Sequence, residues 1–109
     1  MAKIEWNVIV YDKPGTDRTS VRPQHVAAIP ASVNDGTVTS VGAIYTDASK
    51  TKFAGSTFHM MAESRDEIID FLKKDIYYES GIWDLDNVVA HPVGIAARVA
   101  KAMPGVTKI

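Results

Sequence analysis

Residues 37–62 read TVTSVGAIYTDASKTKFAGSTFHMMA, two apolar-rich stretches on either side of a polar one. TVTSVGAIYT, 37–46, is rich in β-branched residues and predicts a strand, and DASKTKFAG, 47–55, is a polar loop. STFHMMA, 56–62, alternates Phe58 and Met60 with Thr57, His59 and Met61, which predicts a second strand. Two strands with one loop between them most simply form a hairpin. What flanks that hairpin sets the topology.

On its N-terminal side IEWNVIVY, 4–11, alternates Ile4, Trp6, Val8 and Val10 with the other face, and predicts a strand. Asp12-Lys13-Pro14-Gly15 is a turn. Residues 19–34 predict a helix, with Thr19 or Ser20 as cap, Pro23 in its first turn and a stripe of Val26, Ile29 and Val33. Pro30 predicts a kink or an early end, and Gly36 the stop.

On the C-terminal side Ser64 and Glu67 form a capping box for a helix reaching about Lys74, with Ile68, Ile69 and Leu72 buried. DIYYESG, 75–81, predicts a short helical turn, and 83–93 a fourth strand. The order is β-α-β-β-α-β, so the expectation is an α+β, ferredoxin-like fold: a four-stranded antiparallel sheet with both helices on one face. The other face carries Ile9, Tyr11, Val41 and Met61, too apolar for water. A second copy of the chain is the expected cover, giving a homodimer through the sheet, a dimeric α/β-barrel-type assembly. The domain is expected over 1–93. Residues 94–109 form an extension, with Ile95 and Val99 suggesting a short helix before Pro104, packed on the domain or on the partner subunit.

A chain of 109 residues is the size of one domain, with an apolar fraction of 46% and a net charge of −1. No basic stripe suits nucleic acid, and no stretch approaches a membrane span of about 20 apolar residues. The chain has no cysteine, which excludes a thiol nucleophile or a thiolate metal site. The N-terminus lacks a signal-peptide pattern, so the expected location is cytoplasmic. P-loop, G-x-G-x-x-G, H-E-x-x-H and G-x-S-x-G patterns are absent. His25, His59 and His91 fall on different elements without ligand spacing, so no metal and no cofactor are expected. Asp84 and Asp86 read as edge-strand charge.

What remains is YDKPGTDRTSVRPQH, 11–25, where Arg18, Arg22 and His25 stand four and three residues apart, one face of a helix. An imidazole exchanges protons near neutral pH, and arginines beside it suit an anionic substrate. The spacing equally fits a solvated basic face around a half-buried histidine. Asp75 equally fits a plain cap for the turn after it. Tyr77 and Trp83 fit core packing as well as an aromatic wall.

YDKPG, R-x-x-x-R-x-x-H (Arg18, Arg22, His25), Gly55-Ser56 at a strand start and D-x-Y-x-x-x-G (Asp75, Tyr77, Gly81) together resemble the YciI-like, or YCII-related, domain family over residues 4–93. The resemblance implies a dimer through the sheet and an active site with a His–Asp dyad, here His25 and Asp75. Arg22 and Ser56, with Arg18 and Tyr77 secondary, would line the same cleft. The family commonly has Asp-Pro where this chain has Asp75-Ile76. The implied function is a small cofactor-independent lyase or isomerase using that dyad on a small organic acid or aromatic catabolite. The alternative is a non-catalytic dimer that binds a small ligand or serves an enzyme.

Overall fold

The computed structural model describes residues 2–107; Met1, Lys108 and Ile109, at the ends of the two expected segments, lie outside them. The elements are β1 (Ile4–Tyr11), α1 (Arg22–Asn34), β2 (Val38–Tyr45), β3 (Phe53–Ala62), α2 (Arg65–Leu72), α3 (Ile76–Glu79) and β4 (Val89–Pro92). The four strands form one antiparallel sheet in the order β2-β3-β1-β4. This is an α+β arrangement of the ferredoxin-like class. β2 and β3 form the expected hairpin.

Alternation along the central strands places Val8, Val10, Phe58 and Met60 on one sheet face, all buried with Ile68 and Leu72 of α2. The helices cover that face alone. On the opposite face Ile9 and Met61 are half-buried and Tyr11 is 45% exposed. Val41 does not join them. Val38 pairs with Met60 and Val41 with Phe58, three residues against two, because the register shifts around Thr39. The bulge turns both valines toward the helices.

Several local expectations need correction. β3 begins at Phe53, three residues before the expected start, since Gly55 pairs with Tyr11 and Phe53 with Tyr45. Thr19 and Ser20 do not cap α1: Thr19 turns back to the Asp17 carboxylate, and Val21 stands at the cap position with no side-chain bond. Arg18 therefore precedes the helix and does not share its face. Pro30 does not end α1, which continues to Asn34, while Gly105 packs on the proline ring. Gly36 then takes φ 87°, the left-handed conformation expected of the stop. β4 is only Val89–Pro92, because Asp84 accepts from the Asp86 N–H at 3.1 Å and caps a 3-10 turn over Leu85–Asn87. The capping box of α2 is present, with Ser64 Oγ accepting from the Glu67 N–H at 3.3 Å. Its return arm goes to the Glu63 N–H.

No helix forms among the described residues of the tail. Residues 97–103 have neither helical nor strand structure, and Val99 is 94% exposed. The segment runs back over its own domain. The Val93 N–H donates to the Glu5 carbonyl at 3.0 Å, and Arg98 bonds the Glu5 carboxylate at 2.5 Å. Thr39 donates to that carboxylate as well. Burial pushes the Glu5 carboxyl up, but the bonds from Thr39 and Arg98, with Arg98's charge, outweigh it and hold it below the usual range. Farther on, Asn34 donates to the Gly105 carbonyl at 3.0 Å and accepts from the Thr107 N–H at 2.8 Å.

At Gly55 the backbone of β1 comes close to β3. A Cβ there would lie 2.4 Å from the Val10 carbonyl oxygen and 3.0 Å from Tyr11 Cα, both backbone atoms that cannot swing aside. Gly55→Ala should cost about 3 kcal/mol in urea unfolding, as overpacking against fixed backbone does. Gly42→Ala, whose Cβ would meet only Thr57 Cγ2 at 3.9 Å, serves as the control. Equal costs for the two variants would refute the steric account.

Candidate active site

The first turn of α1 carries His25, the only buried side chain of that helix. Asp75 caps α3, with Oδ1 accepting from the Tyr77 N–H at 2.9 Å. Because a cap holds its carboxylate in place, the other contacts of the group have fixed geometry. His25 Nδ1 lies 2.8 Å from Asp75 Oδ2 and 3.0 Å from Oδ1. A carboxylate only accepts, so the neutral imidazole carries its proton on Nδ1 and leaves Nε2 with a free lone pair.

Tyr77, two residues past Asp75, is fully buried and stacks on His25, ring centroids 4.1 Å apart at 22°. Trp83 meets the imidazole edge-on at 5.9 Å. The Arg18 guanidinium sits 4.3 Å over the Tyr77 ring. One tyrosine ring therefore contacts both the guanidinium and the imidazole. Burial pushes the Tyr77 phenol up, while the charges of Arg18 and Arg22 act against it.

Arg18 is 2% exposed and bound twice to Asp12, Nε to Oδ2 at 3.0 Å and one terminal nitrogen to Oδ1 at 2.6 Å. Its charge is already neutralised, and it stands as a platform under Tyr77 and Phe53 rather than as a free anion holder. Arg22 is exposed and lies 5.4 Å over the Phe53 ring. Ser56 is 1% exposed on the helix-covered face of β3, opposite Val10. Its Oγ and Trp83 Nε1 have no hydrogen-bond partner among the described residues.

A small cavity of about 30 Å³ opens beside the pair, walled by His25, Asp75, Ile29, Ser32, Val41 and Phe58 among others. It accepts one end of a molecule, or a water or two. Arg22, Ser56 and Tyr77 are not among its walls. The structure thus joins His25, Asp75, Tyr77 and Arg18 in one cluster, with Arg22 near its edge, and leaves Ser56 as a separate buried residue of β3. Asp12 and Ser32 escaped the sequence reading. Asp12 carried a signal, a carboxylate six residues before an arginine across a Pro-Gly turn. Ser32 carried none. Among the described residues no group of three His, Cys, Asp or Glu is placed to hold a metal ion. No helix among them is long and apolar enough to cross a membrane.

Residues 4–90 match the sequence profile of the YCII-related domain. The chain belongs to that family. A protein of Emericella nidulans named aspercryptin biosynthesis cluster protein B is 30% identical over 95 residues, 81% of this chain. The aligned stretch spans 61% of the length of that relative. Among solved structures, 5-chloro-2-hydroxyhydroquinone dehydrochlorinase of Burkholderia phenoliruptrix AC1100, in complex with 2,5-dihydroxybenzoquinone, superposes with a TM-score of 0.60. That likeness covers 84% of this chain and 94% of the other at 21% identity, and it establishes a shared fold.

Proposed function

We propose that the chain is a small acid/base enzyme in which His25 Nε2 takes a proton from a small organic acid or a hydroxylated ring. The carrying observation is the contact of His25 Nδ1 with Asp75 Oδ2 at 2.8 Å, with the carboxylate itself locked by the Tyr77 N–H. The carboxylate orients the ring and stabilises the imidazolium that forms. Electrons of the broken C–H or O–H bond form a new double bond. In an elimination a leaving group departs with its own pair; in an isomerisation the imidazolium returns the proton to another carbon. The dehydrochlorinase of like fold favours elimination on a hydroxylated aromatic ring as the first class to test. A second copy over the Ile9, Tyr11 and Met61 face is part of this proposal, because that face is left without a helix layer.

The test is halide release and quinone absorbance with halogenated hydroxyhydroquinones. His25→Ala should lower turnover by about 10²–10⁴, the range that a positioned proton-transfer group supplies. Stoichiometric binding without turnover, or full activity in His25→Ala, would replace catalysis by simple ligand binding.

A further inference from the structure

The tail does more than lie on the domain. Between its anchors at Glu5 and Asn34 it runs along the free edge of β2 and, with α1, lines a second and larger cavity of about 580 Å³ that is half open to solvent. That volume is well beyond a packing void and within the 300–1,000 Å³ range of small-molecule sites. The walls are mostly apolar, with Val33, Met103 and Val106 prominent. The charged residues on its lining are Arg98 and Lys101, and no carboxylate is among them. Arg98 is paired with Glu5, whereas Lys101 makes no ion pair among the described residues. Ile29, Val38 and Val41 line this chamber and the small cavity beside His25 alike, so these three side chains form the partition between the two.

We infer that the chamber under the 98–106 segment is a binding site for an amphipathic organic anion, an aryl or alkyl carboxylate whose charge meets Lys101 while its apolar body lies against Val33 and Met103. The segment lies beyond the residues matched by the family profile, whereas the α1 and β2 walls of the chamber lie within them. Its role as the seat of a substrate's unreactive part rests on the reading of His25 and Asp75 as the reacting pair; binding itself does not.

The experiment titrates the full ¹⁵N-labelled chain with 2-naphthoate and, separately, with neutral 2-naphthamide. Saturable shifts are expected in residues 29–33, 39–41 and 99–103. Lys101→Gln, a change at an exposed position, should weaken naphthoate by about fivefold, the upper range for an exposed charge pair, and leave naphthamide unaffected. Met103→Trp should exclude both probes. The chamber is refuted by shifts that map elsewhere, by equal effects of Lys101→Gln on the two probes, or by undiminished binding to Met103→Trp. His25→Ala separates the two readings. Full turnover in that variant, with naphthoate still bound at 99–103, overturns the acid/base role and leaves the chamber standing.

Discussion

Asp75→Asn is expected to lower turnover by about 10³–10⁴ while the fold survives, the size of effect seen when an orienting carboxylate becomes an amide. Asparagine is as good a helix cap as aspartate. With its Oδ1 still accepting from the Tyr77 N–H, its amide nitrogen occupies the place of Oδ2, 2.8 Å from His25 Nδ1. An amide N–H facing Nδ1 makes that nitrogen an acceptor, which moves the imidazole proton to Nε2 and removes the base. Ring ¹⁵N shifts of His25 should report the change of tautomer, a readout that needs no substrate. Thermal unfolding should move by only a degree or two. Wild-type turnover together with the Nε2–H tautomer would show that Nε2 is not the base.

The largest stability effect is expected at the Asp12–Arg18 pair. Arg18→Met keeps much of the side-chain volume but leaves the Asp12 carboxylate, 10% exposed, without its bidentate partner. Breaking a buried pair on one side costs about 3–5 kcal/mol, since the remaining charge loses compensation for its lost hydration. In a domain of this size that corresponds to a fall in Tm of roughly 15–25 °C. The double variant Asp12→Leu/Arg18→Met should recover much of the loss, because two apolar groups leave no orphan charge. A single-variant loss below 1 kcal/mol would mean that water reaches the carboxylate after all. Arg18→Met also takes the guanidinium from the Tyr77 ring, so altered ring ¹⁵N shifts of His25 in that variant mark the platform role.

Much of the frame was legible because it follows from neighbours in the chain. The Ser64–Glu67 box, the alternation of β1 and the hairpin of β2 and β3 depend on residues a few positions apart, where backbone hydrogen bonding and side-chain period act directly. Errors appeared where local signals competed. Pro30 predicts a kink or an early end, and the early end does not occur, since the helix runs on to Asn34. Thr19 reads as a cap, yet a nearer carboxylate, Asp17, takes its hydroxyl and N–H. Asp84 reads as strand and forms a capped turn instead. The bulge at Thr39, invisible in the pattern of β2, moved Val41 from one sheet face to the other.

The site divides along the same line. That Asp75 begins a turn and that a histidine follows two arginines is written in the chain. The chain also sets the β-α-β-β-α-β order that returns residue 75 to the neighbourhood of residue 25. Folding in three dimensions brings the two side chains to 2.8 Å, turns Arg18 inward to Asp12 and lays the tail along the edge of β2. Helix and strand signals are carried by residues within a turn or a pleat of one another. A contact across 50 residues is set by how helices seat on a sheet, and no spacing in the chain records that.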